Sequence, residues 1–383
     1  MYVFILYFIT ALLSLKFINE QSPSTKKISI LVFSIIGLLL IFRFNTTGDI
    51  STYLKIYNRV ENPIKESLMY DSHRNVGFVS LIHLTKLIWF DFRFFTIIFN
   101  IIVIGLCFYT IYKESKSLVI SLMLFIGSGI MEVYFCSGLK QMMAMSIFFF
   151  SYFKFLLNKN YFKYYVFSII SCTFHEVALV TLIIPLLVVI EPILYKNENK
   201  NLIITFSSAI FFMFVFSPIV TYLSQLYVGN SYFTYILKYM TYYDISYVGI
   251  MLRIIITILI YFIYKVSNTT DTKLRTQVYT CMFSCVIYLM LGKYSLVARV
   301  SDFIEIISLV TIANLIMLIN NRQLKVVILL FTFMLNLLLL TNDVDFQRFG
   351  IIKNTITGKD NNICDYRYIH VFSNEAHEFV YKD

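Results

Sequence analysis

The chain has 383 residues, of which 58% are hydrophobic and only 14% are charged. An ordinary soluble domain has about 25% charged residues, so this composition excludes a soluble globular protein and predicts one that lies mostly in a membrane. The net charge is +10, but the Lys and Arg residues are scattered in small groups between apolar segments. That distribution excludes a nucleic-acid-binding face and is typical of membrane topology.

Twelve apolar segments follow one another along the sequence, and each is predicted to cross the membrane as a helix. Their approximate bounds are 1–18, 28–43, 94–112, 117–135, 141–157, 161–174, 177–195, 202–226, 247–265, 276–292, 299–319 and 324–341. A helix needs about 20 residues to cross about 30 Å of hydrocarbon, and a few segments are shorter than that. We therefore predict an all-α polytopic integral membrane protein with about 12 transmembrane helices, and with ten at the lower end.

These segments form one predicted transmembrane domain, residues 1–341, followed by a polar tail, residues 342–383. Two loops are longer than a turn, at 44–93 and 227–246. Within the first loop, the apolar run Phe78–Phe90 is too short to span and is predicted to lie at the membrane interface. The sequence contains no Walker or dinucleotide motif, so no nucleotide or other cofactor is expected.

The charged residues divide unequally between the two sides that this topology defines. The loops after odd-numbered segments carry 15 of the 32 Lys and Arg residues and 5 of the 22 Asp and Glu residues, which leaves 17 of each for the other side. Short loops with excess positive charge face the cytoplasm. We therefore predict that both termini and all even-numbered loops lie outside the cytoplasm.

Arg43 and Asp49 follow the second segment. An Arg at the end of a transmembrane helix is often only an anchor, although it can also bind a phosphate. Asp49 belongs to a Gly-Asp turn, and we expect it to be structural. It would either cap a short helix that carries Tyr53 or pair with Arg43 or Arg59.

Lys140 begins the fifth segment, and His175 with Glu176 occupies a tight outer turn between the sixth and seventh. A His beside a Glu is either a hydrogen-bonded turn residue or a general base that the acid orients. The sequence leaves both interpretations open.

Arg253 stands six residues inside the ninth segment, roughly 9 Å of helical rise from its boundary. A charge at that depth costs several kcal/mol unless it faces a partner or a cavity, so Arg253 either marks a functional site or reaches back to the interface. Arg299, Asp302 and Glu305 follow at the outer start of the eleventh segment, on one face of a helix. This row is either a capped helix start or part of a site.

All these charged residues come from five outer turns, and the predicted topology places them at one membrane face. Several cationic groups near one leaflet suit a phosphate or pyrophosphate, since Arg binds phosphate oxygens bidentately. A carboxylate or an imidazole among them could accept a proton, and no metal cluster is evident. The set therefore indicates an anionic lipid whose headgroup lies outside.

At these positions the chain resembles the Wzy/EpsG-type polysaccharide polymerases. The family's Arg, Gly-Asp and Tyr after an early span are similar to Arg43–Tyr53, and its small-residue turn before Arg-Gln is similar to Ser137–Gln141. Its Phe-His pair resembles Phe174–His175, and its late Arg before a Phe resembles Arg299–Phe303. One departure is Lys140, which stands where the family usually has an Arg and so lacks the bidentate fork but keeps the charge.

The resemblance implies a polymerase in the cytoplasmic membrane of a bacterium. It would act at the outer face on undecaprenyl-pyrophosphate-linked oligosaccharides, surrounded by membrane lipid and aided by a chain-length regulator protein. The growing glycan would be the donor, a new repeat unit would supply the attacking hydroxyl, and lipid pyrophosphate would leave. The product would be O-antigen, capsule or exopolysaccharide.

Within such a site the candidate residues take different roles. The groups expected to bind pyrophosphate or glycan are Arg253, Arg299 and, as lesser ligands, Arg43 and Lys140. Either His175 or Asp302 would be the base, and Glu176 would orient His175. Arginine side chains would stabilise the charge that develops on the leaving pyrophosphate.

Two other classes of function are also compatible with a cationic site at a membrane face. A flippase or transporter of the same lipid-linked sugar would be expected to carry cations deep in several helices and to show repeated halves, and no internal duplication is visible. Another lipid-sugar glycosyltransferase or ligase would need a similar pyrophosphate site.

Overall fold

The structure, a computed structural model, describes residues 2–18, 23–44, 50–61, 75–128, 138–226, 247–291, 295–342 and 369–370. Its helices are α1 (Tyr2–Phe17), α2 (Pro23–Ile41), α3 (Ile50–Arg59), α4 (Val76–Ile88), α5 (Phe92–Glu114), α6 (Leu118–Gly127), α7 (Leu139–Ser151), α8 (Tyr161–Phe174), α9 (Pro185–Lys196), α10 (Glu198–Leu226), α11 (Tyr247–Ser267), α12 (Thr272–Leu291), α13 (Ser295–Glu305), α14 (Ser308–Leu318) and α15 (Arg322–Asn342).

Three shorter elements complete the described part of the chain. A π-helical turn, Tyr152–Leu156, continues α7, and a 3-10 helix, Glu176–Leu182, precedes α9. Two strands of two residues each, β1 (Arg43–Phe44) and β2 (Ile369–His370), pair in antiparallel register. Of the predicted polar tail, the structure describes Asn342, the last residue of α15, and the second strand.

The helical architecture predicted from the apolar segments is confirmed, and each of those segments contains a helix or a bent pair of helices. Among the described residues, α5 and the Ile250–Ser267 part of α11 are each long and apolar enough to cross a membrane. Two bent pairs would each qualify as one broken span. The figure of 12 crossings and the placement of both termini outside remain predictions.

Both bent pairs fall where the sequence predicted one continuous helix, and that prediction is wrong at both places. The 3-10 helix and α9 meet at 44°, just before Pro185, whose ring cannot continue a helix. The Arg299–Glu305 part of α13 meets α14 at 40°. Broken helices at membrane depth are tolerated where they are buried in protein or line a cavity, which makes both breaks candidate positions for a site.

The described helices fall into two compact units. The first unit comprises 1–176 and 319–383, and α7 lies at its centre. All the residues of α7 except Lys140 and Phe150 are buried, because this helix is apolar around its circumference and packs against α5 and α8.

The second unit comprises 177–318, and α12 lies at its centre. This helix packs against α9, α10, α11, α13 and α14. Its polar residues Arg275, Gln277 and Ser284 are buried among those neighbours, together with Val278 and Cys285. A central helix with buried polar groups needs partners for them, and the partners in this unit define its chemistry. That the two units act as one transmembrane domain, as the sequence predicts, remains a prediction.

Candidate active site

Arg253 on α11 is the centre of a polar cluster in the second unit. One terminal nitrogen of its guanidinium donates to the Ser301 hydroxyl at 3.0 Å and to the Glu305 carboxylate at 2.5 Å. The other terminal nitrogen donates to the Asp302 carboxylate. Hydrogen bonds between ionised partners are roughly twice as strong as neutral ones, so Arg253 has a fixed position between two carboxylates.

Two further contacts hold this arrangement from α12. The guanidinium carbon of Arg253 lies 4.2 Å from the centre of the Tyr288 ring, within the range of a cation–π contact. Ser284 donates to the backbone carbonyl of Ser301 at 2.8 Å, and the two hydroxyls are 2.9 Å apart. Since Ser301 also bonds Arg253, the serine pair fixes the register of α13 against α12 at the cluster.

In this cluster one guanidinium is shared between two carboxylates. The side chains of Arg253, Asp302 and Glu305 are 18%, 21% and 21% exposed, so none of the three is fully buried. Glu305 is the last residue of α13 and stands directly before the break that leads into α14. Asp302 and Glu305 are equally exposed and both lie beside Arg253, so each is a chemically available proton acceptor.

Arg299 lies on α13, three residues before Asp302, and it is exposed. The sequence placed Arg299, Asp302 and Glu305 on one helical face, and the structure has all three on the same helix. Arg253 therefore lies beside two members of this row, Asp302 and Glu305. The interpretation of Arg253 as a side chain that only reaches back to the interface is not needed, because its ion pairs account for its position.

A second group of candidates lies in the first unit, around the turn after α8. The Asn75 amide donates to the Phe174 carbonyl at 2.5 Å and to the Glu176 carboxylate at 3.3 Å. His175, between them, is 7% exposed, whereas Glu176 is exposed. Burial raises the pKa of Glu176, but the nearby His175 and Lys140 and the Asn75 hydrogen bond outweigh burial and hold that pKa below its usual value. The role of these three residues in one site remains a prediction, and the sequence gives no indication of Asn75.

Close packing explains why Asn75 reaches this turn. Gly77, in the first turn of α4, lies against the end of α8. A Cβ at this position would be 2.4 Å from the Thr173 hydroxyl and 3.0 Å from the Thr173 carbonyl. Any larger residue would push the two helices apart. Gly77 therefore allows the approach that brings Asn75 to Glu176.

The remaining two candidates are less well defined. The backbone of Arg43 pairs with that of His370, which places Arg43 at the start of the two-stranded pairing. Asp49 lies outside the described residues, so its predicted role as a cap of α3 remains a prediction. The helix itself, with Tyr53 buried on it, is present.

Four residues of these two groups were not predicted from the sequence: Asn75, Ser284, Tyr288 and Ser301. The serines had a weak signal, since a small polar residue within an apolar segment often bonds to a neighbouring helix. Nothing in the sequence relates Tyr288 to Arg253, because the two lie on different helices.

A metal site in a protein is formed by a cluster of His, Cys, Asp or Glu side chains. Within the described ranges, no group of three or more His, Cys, Asp or Glu side chains could hold a metal ion.

Neither the curated proteins nor the solved structures include a match to the chain. A model of the EpsG family matches residues 26–353, a range that encloses every candidate residue from Arg43 to Glu305. The match covers most of the sequence, and this chain of apolar helices therefore belongs to the EpsG family.

Proposed function

We propose that this protein is a polysaccharide polymerase of the cytoplasmic membrane, a role that its family membership supports. It would join undecaprenyl-pyrophosphate-linked repeat units at the outer face of the membrane. The growing glycan is transferred from its lipid pyrophosphate to a hydroxyl of the incoming unit, and undecaprenyl pyrophosphate leaves. The acceptor hydroxyl loses its proton to a base of the protein.

The observation that carries this proposal is the cluster of Arg253 with Asp302 and Glu305. Glycosyl transfer needs a base near the acceptor hydroxyl and positive charge near the leaving phosphate. Asp302 is the proposed base. It is held by Arg253 and has the second carboxylate one helical turn away.

The pyrophosphate is assigned chiefly to Arg299. Arg253 is a predicted pyrophosphate ligand, but its charge is already matched by Asp302 and Glu305. We therefore propose that Arg253 keeps the base in place and ionised, and that it contributes to the field on the leaving group without being its main ligand. In the first unit, Lys140 is proposed to bind pyrophosphate or glycan, and His175, oriented by Glu176, is the alternative base.

The outer location follows from the charge division and is a proposal that reporter fusions test. A reporter that is active only outside the cytoplasm is expected to be active when fused after Thr341 and silent when fused at Asn268. The opposite pattern would place the cluster on the cytoplasmic side and would rule out polymerisation of exported repeat units.

The activity itself is tested at Arg299. An Arg299→Ala variant is expected to lose about 10²- to 10³-fold in rate, the usual cost of one stabilising donor in the transition state. Cells would display single repeat units and no longer glycans. Arg299→Lys keeps the charge without the fork, so it should retain part of the activity. Surface glycan separated by length is the measurement.

A matched control is Arg322→Ala, since Arg322 is also exposed and also lies in the first half of its helix. This control should make glycans of normal length. If a normally inserted Arg299→Ala protein also did so, Arg299 would be only a helix-start residue.

The two bent helix pairs favour a flippase as the second candidate function, because broken helices are common at transporter binding sites. The same glycan pattern separates the two functions. Loss of a polymerase leaves single repeat units on the surface, whereas loss of a flippase leaves none there.

A further inference from the structure

The end of α4 exposes a continuous apolar surface. The face of α4 that carries Phe78, Val79 and Ile82 is buried. At the other end of the helix and just beyond it, five large apolar residues are between 57% and 74% exposed. They are Leu84, Leu87, Ile88, Trp89 and Phe90, and we refer to them as the α4 tip. Four of them are consecutive, which soluble surfaces rarely show.

The only Lys or Arg residue of α4, Lys86, lies beside the α4 tip, 4.8 Å from the centre of the Phe90 ring, but its hydrogen bond goes to the chain at the end of α3. The Lys86 ammonium donates to the Val60 carbonyl at 3.0 Å and lies 4.7 Å from the centre of the Tyr57 ring. Burial lowers the pKa of Lys86, against an opposing effect of the Glu61 charge. Lys86 thus stabilises the end of α3, and the α4 tip itself has no charged member.

The residues that follow the α4 tip indicate its depth in the membrane. It is followed at once by Asp91 and α5, which is long and apolar enough to cross a membrane and whose 23 residues rise about 34 Å. Asp91 accepts the Arg93 backbone N–H at 2.7 Å and pairs with its guanidinium at 2.8 Å. Burial raises the pKa of Asp91, but hydrogen bonds and charge from Arg93 outweigh burial and hold that pKa below its usual value. A charged pair at the entrance of a spanning helix marks the headgroup level.

We propose that the α4 tip inserts into the leaflet at the amino-terminal end of α5 and binds its acyl chains as an interfacial anchor. The 13 residues of α4 rise only about 20 Å, too little to cross about 30 Å of hydrocarbon, so the helix enters one leaflet and does not span. Trp89 at the tip is suited to this depth, because an indole combines a large apolar ring with a polar N–H.

The other end of the same helix carries Asn75, which bonds to Glu176. One rigid helix therefore joins the membrane-inserted tip to the polar group around His175. The anchor would hold that group close to the membrane surface, whatever reaction the group performs.

Trp89 makes the proposal directly measurable, because it is the only tryptophan in the chain. The full-length protein would be reconstituted in phosphatidylcholine vesicles whose acyl chains carry bromine either near the headgroup or near the chain end. Bromine near the headgroup is expected to remove most of the Trp89 emission, with less loss for bromine near the chain end. Acrylamide in the water should quench weakly.

Two other results would overturn the proposal. Strong acrylamide quenching without bromolipid quenching would show that the tip lies in water. No quenching by either agent would show that protein, such as a second copy of the chain, covers the tip. A Leu87→Asn/Ile88→Asn variant should lose part of the bromolipid quenching. Phe162→Asn, at a site 79% exposed near the start of α8, should keep all of it. Equal quenching in the two variants would contradict the assignment to the α4 tip.

Discussion

Two arginines in the second unit are paired with carboxylates in different ways. Arg275 and Glu191 form a single ion pair whose side chains are 8% and 7% exposed. The Tyr195 ring covers the guanidinium at 3.8 Å. Arg253 faces two carboxylates instead of one, and its side chain is more than twice as exposed as that of Arg275.

This difference separates a structural contact from a chemically available one. Arg275 and Glu191 form a buried pair of one positive and one negative charge, so neither group can bind a ligand unless the pair breaks. In the Arg253 cluster one guanidinium is shared between two carboxylates, and all three side chains remain partly exposed. An Arg within a membrane helix is therefore informative about function only once the number and exposure of its partners are known.

The largest expected effect lies at the buried pair. Arg275→Met leaves Glu191 charged and buried, which typically costs about 3–5 kcal/mol. We expect much less folded protein and a clearly lower midpoint of thermal unfolding in detergent. The double variant Arg275→Met/Glu191→Leu removes both charges and should recover most of that loss, since buried ion pairs can be replaced by apolar residues at little cost.

Activity per folded molecule should be normal in the double variant. A double variant that folds well and yet makes no polymer would show that this pair takes part in the reaction, and the comparison between the two arginines would fail.

The second prediction concerns the two carboxylates of Arg253. Asp302→Asn and Glu305→Gln each remove one negative charge and keep the shape of the side chain. Each variant leaves Arg253 with one carboxylate, as in the buried pair, so folded protein should stay near normal. If Asp302 is the base, Asp302→Asn should lose about 10²- to 10⁴-fold in polymerisation rate, and Glu305→Gln should lose clearly less.

The rate of polymer formation in membranes with matched protein amounts measures this. Equal and small losses in both variants would mean that neither carboxylate is the base and would favour His175.

The smallest effect is expected at Asn75. Its side chain makes no capping bond to its own helix and bonds the turn after α8, so Asn75→Ala should leave α4 intact. Asn75→Ala removes two hydrogen bonds, to the Phe174 carbonyl and to the Glu176 carboxylate. The bond to the exposed carboxylate should be worth about 1 kcal/mol, or about fivefold in rate. Asn158→Ala is the control, because the Asn158 amide also donates to backbone carbonyls, at 3.0 and 3.4 Å. A normal rate for Asn75→Ala would show that the hydrogen bond from Asn75 to Glu176 does not contribute to the reaction.

The helices themselves were predictable because apolar runs of sufficient length leave the backbone little alternative in a membrane. The break before Pro185 also had a signal in the sequence, since proline ends a helix or begins one. The break between Glu305 and Ser308 had none. The two residues between them are isoleucines, which are ordinary inside a membrane helix.

The candidate site was predictable as a set of residues and not as a set of contacts. Arg253, Asp302 and Glu305 were each identified from their charge and depth. Their pairing joins residues 49 and 52 positions apart. Sequence patterns give the depth of a residue within a span but not which helices are neighbours. For the same reason the sequence assigns Arg275 and Glu191 to cytoplasmic loop charges and gives no signal for the ion pair between them.

Polymerisation by purified protein tests the central claim most directly. The full-length chain would be reconstituted in vesicles with undecaprenyl-pyrophosphate-linked repeat units, and glycan length and released undecaprenyl pyrophosphate would be followed together. We predict that the wild-type protein lengthens the glycan and releases one undecaprenyl pyrophosphate for each unit joined, and that folded Asp302→Asn protein does neither at a comparable rate. Full activity of that variant, or no lengthening by folded wild-type protein, would contradict the account.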